Sequence, residues 1–195
     1  MNSERSCSIS TGAATMWIEV ATPEQLDEFR CWQHQERLEP MTCRPVVDGQ
    51  RVPPSNEVVT YGFFVADRSQ PVGKFAYFDV NPRNRSAEFG YRIHPAMRGQ
   101  GLGTQMLQIC ISRVFQSTNL NKLYCQTAAF NLPSIRLLEK LGFQRDGVLR
   151  EHHELDGLLH DDYVYSLLRQ EWLGQSWAVE SDPDFRQKPR VKEAN

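Results

Sequence analysis

Phe89-Gly-Tyr-Arg-Ile-His-Pro-Ala-Met-Arg-Gly-Gln-Gly-Leu-Gly-Thr104 is the stretch on which the reading of this chain turns. Ser86 to Ile93 reads as a strand running into it. His94 to Met97, with Pro95, is a connector. Leu102, Met106, Ile109, Cys110 and Val114 then recur at helical spacing, which predicts a long helix ending near Asn119 to Asn121. Between strand and helix lie Arg98-Gly99-Gln100-Gly101-Leu102-Gly103. Glycines there permit steep backbone dihedrals and close approach of a ligand. A helix start has free N–H groups and a positive dipole end, which suits a phosphate. Arg98, and the absence of any acid from Gly99 to Phe130, strengthen that positive field.

Two familiar phosphate loops do not fit. A Walker A loop needs a Gly-Lys pair followed by Ser or Thr, and that Lys is missing. A dinucleotide fingerprint needs a third glycine where Thr104 stands, and an acid about 20 residues further on. On its own, the loop is also compatible with a glycine-rich turn that binds nothing.

A second stretch, Asn131-Leu-Pro-Ser-Ile-Arg-Leu-Leu-Glu-Lys-Leu-Gly-Phe143, reads as a helix. Asn131 is a favourable cap, Gly142 a favourable stop, and Ile135, Leu138 and Leu141 form the apolar face. Lys122 to Thr127 is the strand between the two helices. Further on, Asp156-Gly157 is a strong hairpin signal between two final strands.

These motifs resemble the GNAT superfamily of N-acetyltransferases. Arg98-x-x-Gly101-x-Gly103 matches its Gln/Arg-x-x-Gly-x-Gly/Ala signature. Asn131-x-x-Ser134 followed by Leu-Glu-Lys-Leu-Gly-Phe143 matches its second signature, in the right order. The run from Leu141 through Glu151 to Arg169 is similar to the RimJ/RimL-like branch, the ribosomal-protein N-terminal acetyltransferases. The resemblance covers about Met16 to Trp172. It implies an α/β domain of α+β type: a mixed, mostly antiparallel, splayed sheet of six or seven strands with about four helices.

The resemblance also implies a cofactor site and a chemistry. Acetyl-CoA is the expected co-substrate, with no metal. Its pyrophosphate is expected on the amides of Arg98, Gly99, Gln100, Gly101, Leu102, Gly103 and Thr104. Ile93, on the strand entering the loop, and Asn131 are expected along the pantetheine arm. Transfer from a thioester to an amine needs a neutral amine, a stabilised carbonyl oxygen and a tolerated thiolate. An α-amino group has a pKa near 8 and a lysine near 10, so an N-terminus is the easier acceptor. Glu151 is the preferred base and Glu88 the second candidate; both also read as ordinary solvated strand carboxylates. Many relatives protonate the thiolate with a Tyr seven residues after the Asn, where this chain has Leu138. Ser134, expected at that branch's serine position, would hydrogen-bond the sulfur and relay a proton; the bland alternative is helix capping.

Residues 1–15 are small and polar, a flexible N-terminus; 16–173 form the acetyltransferase domain; 174–195 form a polar tail. Met16 to Val20 is a strand. Thr22-Pro23-Glu24-Gln25 announces a helix to about Trp32. His34 to Pro40 is a candidate short helix, and Thr42 to Asn56 a long loop. Val58 to Asp67 and Pro71 to Val80 form a hairpin, and Asn81 to Asn84 a second turn.

Bulk properties limit the alternatives. A chain of 195 residues suits one domain, and a net charge of −2 does not favour nucleic acid. No run is long and apolar enough for a membrane partner. Five scattered cysteines, without Cys-x-x-Cys, favour a reduced, cytoplasmic chain. Cys110 and Cys125 are expected in the core, and the five histidines at the surface or rim, with His152 or His160 at the acceptor pocket as the minority reading. The expected function is N-acetylation of a protein or peptide N-terminus by a monomer or homodimer. A small-amine acetyltransferase (polyamine, antibiotic) and a non-catalytic acyl-CoA-binding module are the alternatives.

Overall fold

The computed structural model describes residues 7–11, 14–34, 40, 46–47, 50–51, 58–66 and 69–178. Eight strands form one sheet: β1 (Cys7–Thr11), β2 (Ala14–Val20), β5 (Val59–Val65), β6 (Gly73–Asn81), β7 (Ser86–Ile93), β8 (Lys122–Ala128), β10 (Leu158–Leu168) and β9 (Gln144–Leu155), in that spatial order. β3 (Val46–Val47) and β4 (Gln50–Arg51) make a separate small ladder. The helices are α1 (Pro23–His34), α2 (Leu102–Ser117), α3 (Leu132–Lys140) and α4 (Arg169–Leu173). The fold class is the expected mixed, mostly antiparallel α/β sheet. Its one strand beyond the expected range is β1, within the stretch read as a flexible N-terminus. The short helix expected over 34–40 falls mainly on residues outside the described set, as does most of the 42–56 loop.

Local signals account for the elements. The Thr22 hydroxyl accepts the Gln25 N–H at 3.3 Å, and the Gln25 side chain accepts the Thr22 N–H at 3.0 Å, closing a capping box at the start of α1. Asp156 and Gly157 both have positive φ, 54° and 80°, as a two-residue I′ turn between β9 and β10 requires. The Asn81 side chain accepts the Asn84 N–H at 2.9 Å and closes the β6–β7 turn.

The long helix α2 buries Met106, Leu107, Cys110, Ile111, Val114 and Phe115 against the sheet, and each such side chain adds about 1.5–3 kcal/mol by leaving water. Phe89 stacks on Phe75 and tilts against Phe143, joining β7, β6 and the end of α3. Arg169 ties α4 to the end of α2 and the connection after it, donating to the carbonyls of Phe115, Thr118 and Leu120. Trp177 and Ala178, placed in the tail on sequence grounds, pack against the core.

β7 and β8 pair in parallel, and their pairing covers only Ser86–Lys122, Ala87–Leu123 and Glu88–Tyr124. Beyond Glu88 the strands separate. The facing segments 89–93 and 125–128 pair with β6 and β10 but not with each other, and border a gap in the middle of the sheet. That gap positions the site.

Candidate active site

A cavity of about 710 Å³ opens at the splay. One wall is β7, whose alternation sends Phe89 and Tyr91 to one face and Glu88 and Arg92 to the other. The opposite wall is β8 with the start of α3. The floor is the loop entering α2. Glu88, Tyr91, Arg98, Ser134 and His153 all line this one space.

The loop has the shape of an anion cradle. Gly99 and Gly101 each have φ of 77°, in the left-handed region, and a Cβ at either would meet nothing within 4 Å. The glycines are required by backbone conformation, and open space stands above them for a ligand. Gly103 is glycine for a different reason: a Cβ there would stand 3.3 Å from the Leu137 side chain, where α2 meets α3. α2 starts at Gly101 with no side-chain cap and no acid in its first turn, so its leading N–H groups and dipole present positive potential. Arg98 points its Nε to the Ile93 carbonyl at 3.2 Å, which braces the loop on β7. These features fit a phosphate-bearing ligand. Of the expected cradle residues, Ile93, Arg98, Gly99, Gly101, Leu102 and Gly103 line the cavity. Gln100 is exposed on the outside of the turn, and Thr104 lies in the first turn of α2, its N–H returned to Gly101.

Asn131 and Ser134 divide their labour. The Asn131 side chain accepts the Ser134 N–H at 3.4 Å and caps α3. The Ser134 hydroxyl is therefore not the cap. It shares a 2.7 Å hydrogen bond with the Tyr91 hydroxyl, 43 residues away on β7. Burial pushes the Tyr91 phenol well above its ordinary range, with the nearby Cys125 thiol adding to the effect and the Ser134 bond opposing it. Tyr91 thus stays protonated. Leu138, which stands where a tyrosine was sought, is fully buried in the core. Cys125 is buried as expected, but it also lines the cavity; burial and the charge of Glu88 push its thiol up, so it is a poor nucleophile.

The two candidate bases separate. Glu88 lines the cavity, together with Asp79 of β6. Glu151 does not: it is exposed, with φ of 52°, on a bulge of β9 where its N–H is taken by the Asp161 carboxylate at 2.9 Å. The register shift between His160 and Asp162 creates this bulge and turns the Glu151 region outward.

His153 is the residue that the sequence reading placed wrongly. It is 4% exposed rather than at the surface, and lines the cavity beside Thr127 and Ala128. Its Nδ1 stands 3.3 Å from Oδ1 of the fully buried Asp162. The adjacency of His152 and His153 signalled that one of them faces inward; only strand pairing shows which.

The fold and site together define an α/β protein whose splayed sheet opens onto a glycine-led helix. Residues 10–144 match the family model described as an acetyltransferase (GNAT) domain, and the chain belongs to that family. Among relatives, it is 32% identical over 114 residues to the uncharacterized N-acetyltransferase p20 of Bacillus licheniformis, a match covering 58% of this chain and 64% of that one. The match spans less than two thirds of that relative's length. Among solved structures, Mycobacterium smegmatis RimJ in complex with CoA-disulfide superposes with a TM-score of 0.68 at 19% identity, covering 89% of this chain and 90% of that one. Spermidine N-acetyltransferase from Vibrio cholerae in complex with CoA and spermine gives 0.70 at 19% identity, covering 81% and 98%. At such identities the structures speak for the fold alone. Among the described residues no cluster of His, Cys, Asp and Glu is arranged to hold a metal, and no helix is long and apolar enough to cross a membrane.

Proposed function

We propose that this protein transfers acetyl from acetyl-CoA to a primary amine. The observation that carries the reading is the convergence on one cavity of the Gly99–Gly103 cradle, the Tyr91–Ser134 hydroxyl pair and Glu88. Acetyl-CoA supplies the activated acyl group. The cradle amides and Arg98 hold its pyrophosphate, and Ile93 and Asn131 flank the arm. Either hydroxyl of the Tyr91–Ser134 pair can donate; with the neutral Tyr91 donating, the serine hydrogen is left for the leaving sulfur. Glu88 and Asp79 present carboxylates that draw in the cationic amine. Glu88 takes over from Glu151 as the acid that meets the acceptor, because Glu88 lines the cavity. The hydroxyl pair also supports catalysis over a binding-only module, since a module needs no group at the sulfur.

The acceptor reading remains an α-amino group of a protein or peptide in the RimJ/RimL-like manner. One observation favours a second reading, a polyamine: two acids, Asp79 and Glu88, line the same cavity. Spermidine N-acetyltransferase among the structural neighbours agrees with it.

The test has two arms. Gly101→Asp introduces a side chain and a negative charge into the cradle, while aspartate tolerates the left-handed backbone at about 1–2 kcal/mol. Calorimetry should show acetyl-CoA binding nearly abolished in a folded variant; unchanged affinity would remove the reading. In the second arm, CoA release is followed with N-terminal peptides, spermidine and aminoglycosides. Peptide turnover identifies the first acceptor class, spermidine turnover the second, and no turnover with any amine refutes catalysis.

A further inference from the structure

His153 and Asp162 form a buried pair that the cradle and the hydroxyl pair do not use. Asp162 is 0% exposed, and neither of its carboxylate oxygens receives a well-aligned hydrogen bond from a described residue. A carboxylate removed from water this completely is costly unless a donor group stands beside it. The charge contact it makes is with Nδ1 of His153, at 3.3 Å. The pairing explains how the two meet. His160 lies opposite His153, so those side chains share a face; Asp162, two residues along β10, shares it too and lies opposite Ala128 of β8. Phe130 meets both imidazoles edge-on, with ring centres 5.2 Å from His153 and 5.0 Å from His160, which fixes the plane of the His153 ring. The β9 bulge around Glu151 carries the chain out of register just before His153. Bulges beside active sites commonly re-aim a side chain in this way. The outcome is an imidazole in the wall of the cavity, backed by a carboxylate with no other described charge contact.

We propose that His153 is the base that accepts the proton of the acceptor amine, and that Asp162 is its positioning residue. The inference rests on the acetyltransferase reading. An amine reaches the site as an ammonium, drawn by Glu88 and Asp79. With the proton on Nδ1, toward Asp162, the other ring nitrogen, Nε2, carries the lone pair that acts as the base. Nε2 takes one proton from the ammonium, directly or through a water. The neutral nitrogen then forms the C–N bond to the acetyl carbon as the C–S bond breaks. The nitrogen's second proton passes to the departing sulfur by way of the Ser134 hydroxyl, which gives one hydrogen and receives another. The products are an amide and a thiol, and the imidazolium returns its proton to water. Imidazole suits the task because it both takes and releases a proton near neutral pH.

Other titratable groups lie along the same cavity or strand. β10 carries His160, Asp161 and Asp162, and β9 carries Glu151 and Glu154. Across the cavity stand Glu88 and Arg92 of β7, Cys125 of β8 and Asp79 of β6. The experiment must therefore isolate His153.

Wild type, His153→Gln and Asp162→Asn are compared by calorimetry with acetyl-CoA and by pH profiles of kcat and kcat/KM. Two amines of different pKa are used, because a limb belonging to the amine moves between them and a limb belonging to the enzyme stays. The expected wild-type profile keeps an acidic limb that does not move with the amine. His153→Gln should bind acetyl-CoA as wild type does, lose that limb and lose about 10²–10⁴-fold in turnover. Asp162→Asn should bind acetyl-CoA as wild type does and lower kcat while KM for the amine changes little. A folded His153→Gln variant with wild-type rate and an unchanged limb would overturn the proposal. If the variants do not fold, the wild-type profile alone decides: a limb that follows the amine, with none belonging to the enzyme, refutes it. Absence of acetyl-CoA binding in the wild type itself would instead refute the acetyltransferase reading, so the two failures are distinguishable.

Discussion

At the scale of single residues, the site separates capping from chemistry within one helical turn. Asn131 caps α3, so Asn131→Ala should lower stability by about 1 kcal/mol, visible as a reduced melting temperature. Ser134 donates its backbone N–H to that cap and keeps its hydroxyl for Tyr91. Ser134→Ala should leave acetyl-CoA affinity nearly unchanged while turnover falls, and the loss should shrink with a donor whose thiol is more acidic. Rate and melting temperature measured on the same samples distinguish the two roles; a wild-type rate for Ser134→Ala would exclude its part in the reaction. The two glutamates give a matched contrast. Glu88→Gln should raise KM for a cationic amine, because it removes a charge from the cavity. Glu151→Gln should be silent in amine kinetics, since the β9 bulge holds that side chain outside. Equal effects of the two substitutions would contradict this division.

At the scale of elements, much of the chain was legible. α1 was announced by Thr22-Pro23-Glu24-Gln25, and the capping box forms between Thr22 and Gln25. Because the box closes two hydrogen bonds at an exposed helix start, Thr22→Ala should cost about 1 kcal/mol in chemical denaturation. α2 and α3 followed from their apolar spacing, and the β9–β10 hairpin from Asp156-Gly157. Local backbone rules decide such features, so sequence alone exposes them. The β9 bulge was not legible. It arises from a register offset against β10, and no pattern within β9 announces which residue is extruded. Glu151 pays for it with φ of 52°. Glu151→Gly should therefore preserve the fold and raise stability by up to about 1–2 kcal/mol, measurable as a higher melting temperature. A marked loss of stability would show that Glu151 has contacts that outweigh the strain.

At the scale of the whole molecule, buried acids set the alkaline limit of stability. Burial, with smaller effects from neighbouring groups, raises both Tyr91 and Cys125 above their ordinary values of 10.0 and 9.0. In the unfolded chain these groups release protons at those ordinary values, while the folded chain retains them. Their contribution is complete below about pH 9 and is lost as pH rises, at up to about 1.4 kcal/mol per pH unit for each group. Melting temperature should thus fall between pH 9 and 11, and Tyr91→Phe should make the fall less steep. A melting temperature that stays level across that range would refute the assignment.

The sequence by itself determined the family signatures, the order of the strands and helices from β5 to β10, and the glycine-led loop, because those rest on short-range dihedral and periodic rules; it did not show β1, β3, β4 or α4. Tertiary structure decided which side chains meet. The pairing of β7 with β8 stops at Glu88, and only that splay makes a cavity. Tyr91 reaches Ser134 across 43 residues of chain, and Asp162 reaches His153 through a hairpin whose register is offset. Distances of that kind depend on sheet order, register and burial, which are settled by the packing of the whole chain and leave no mark on any one stretch of it.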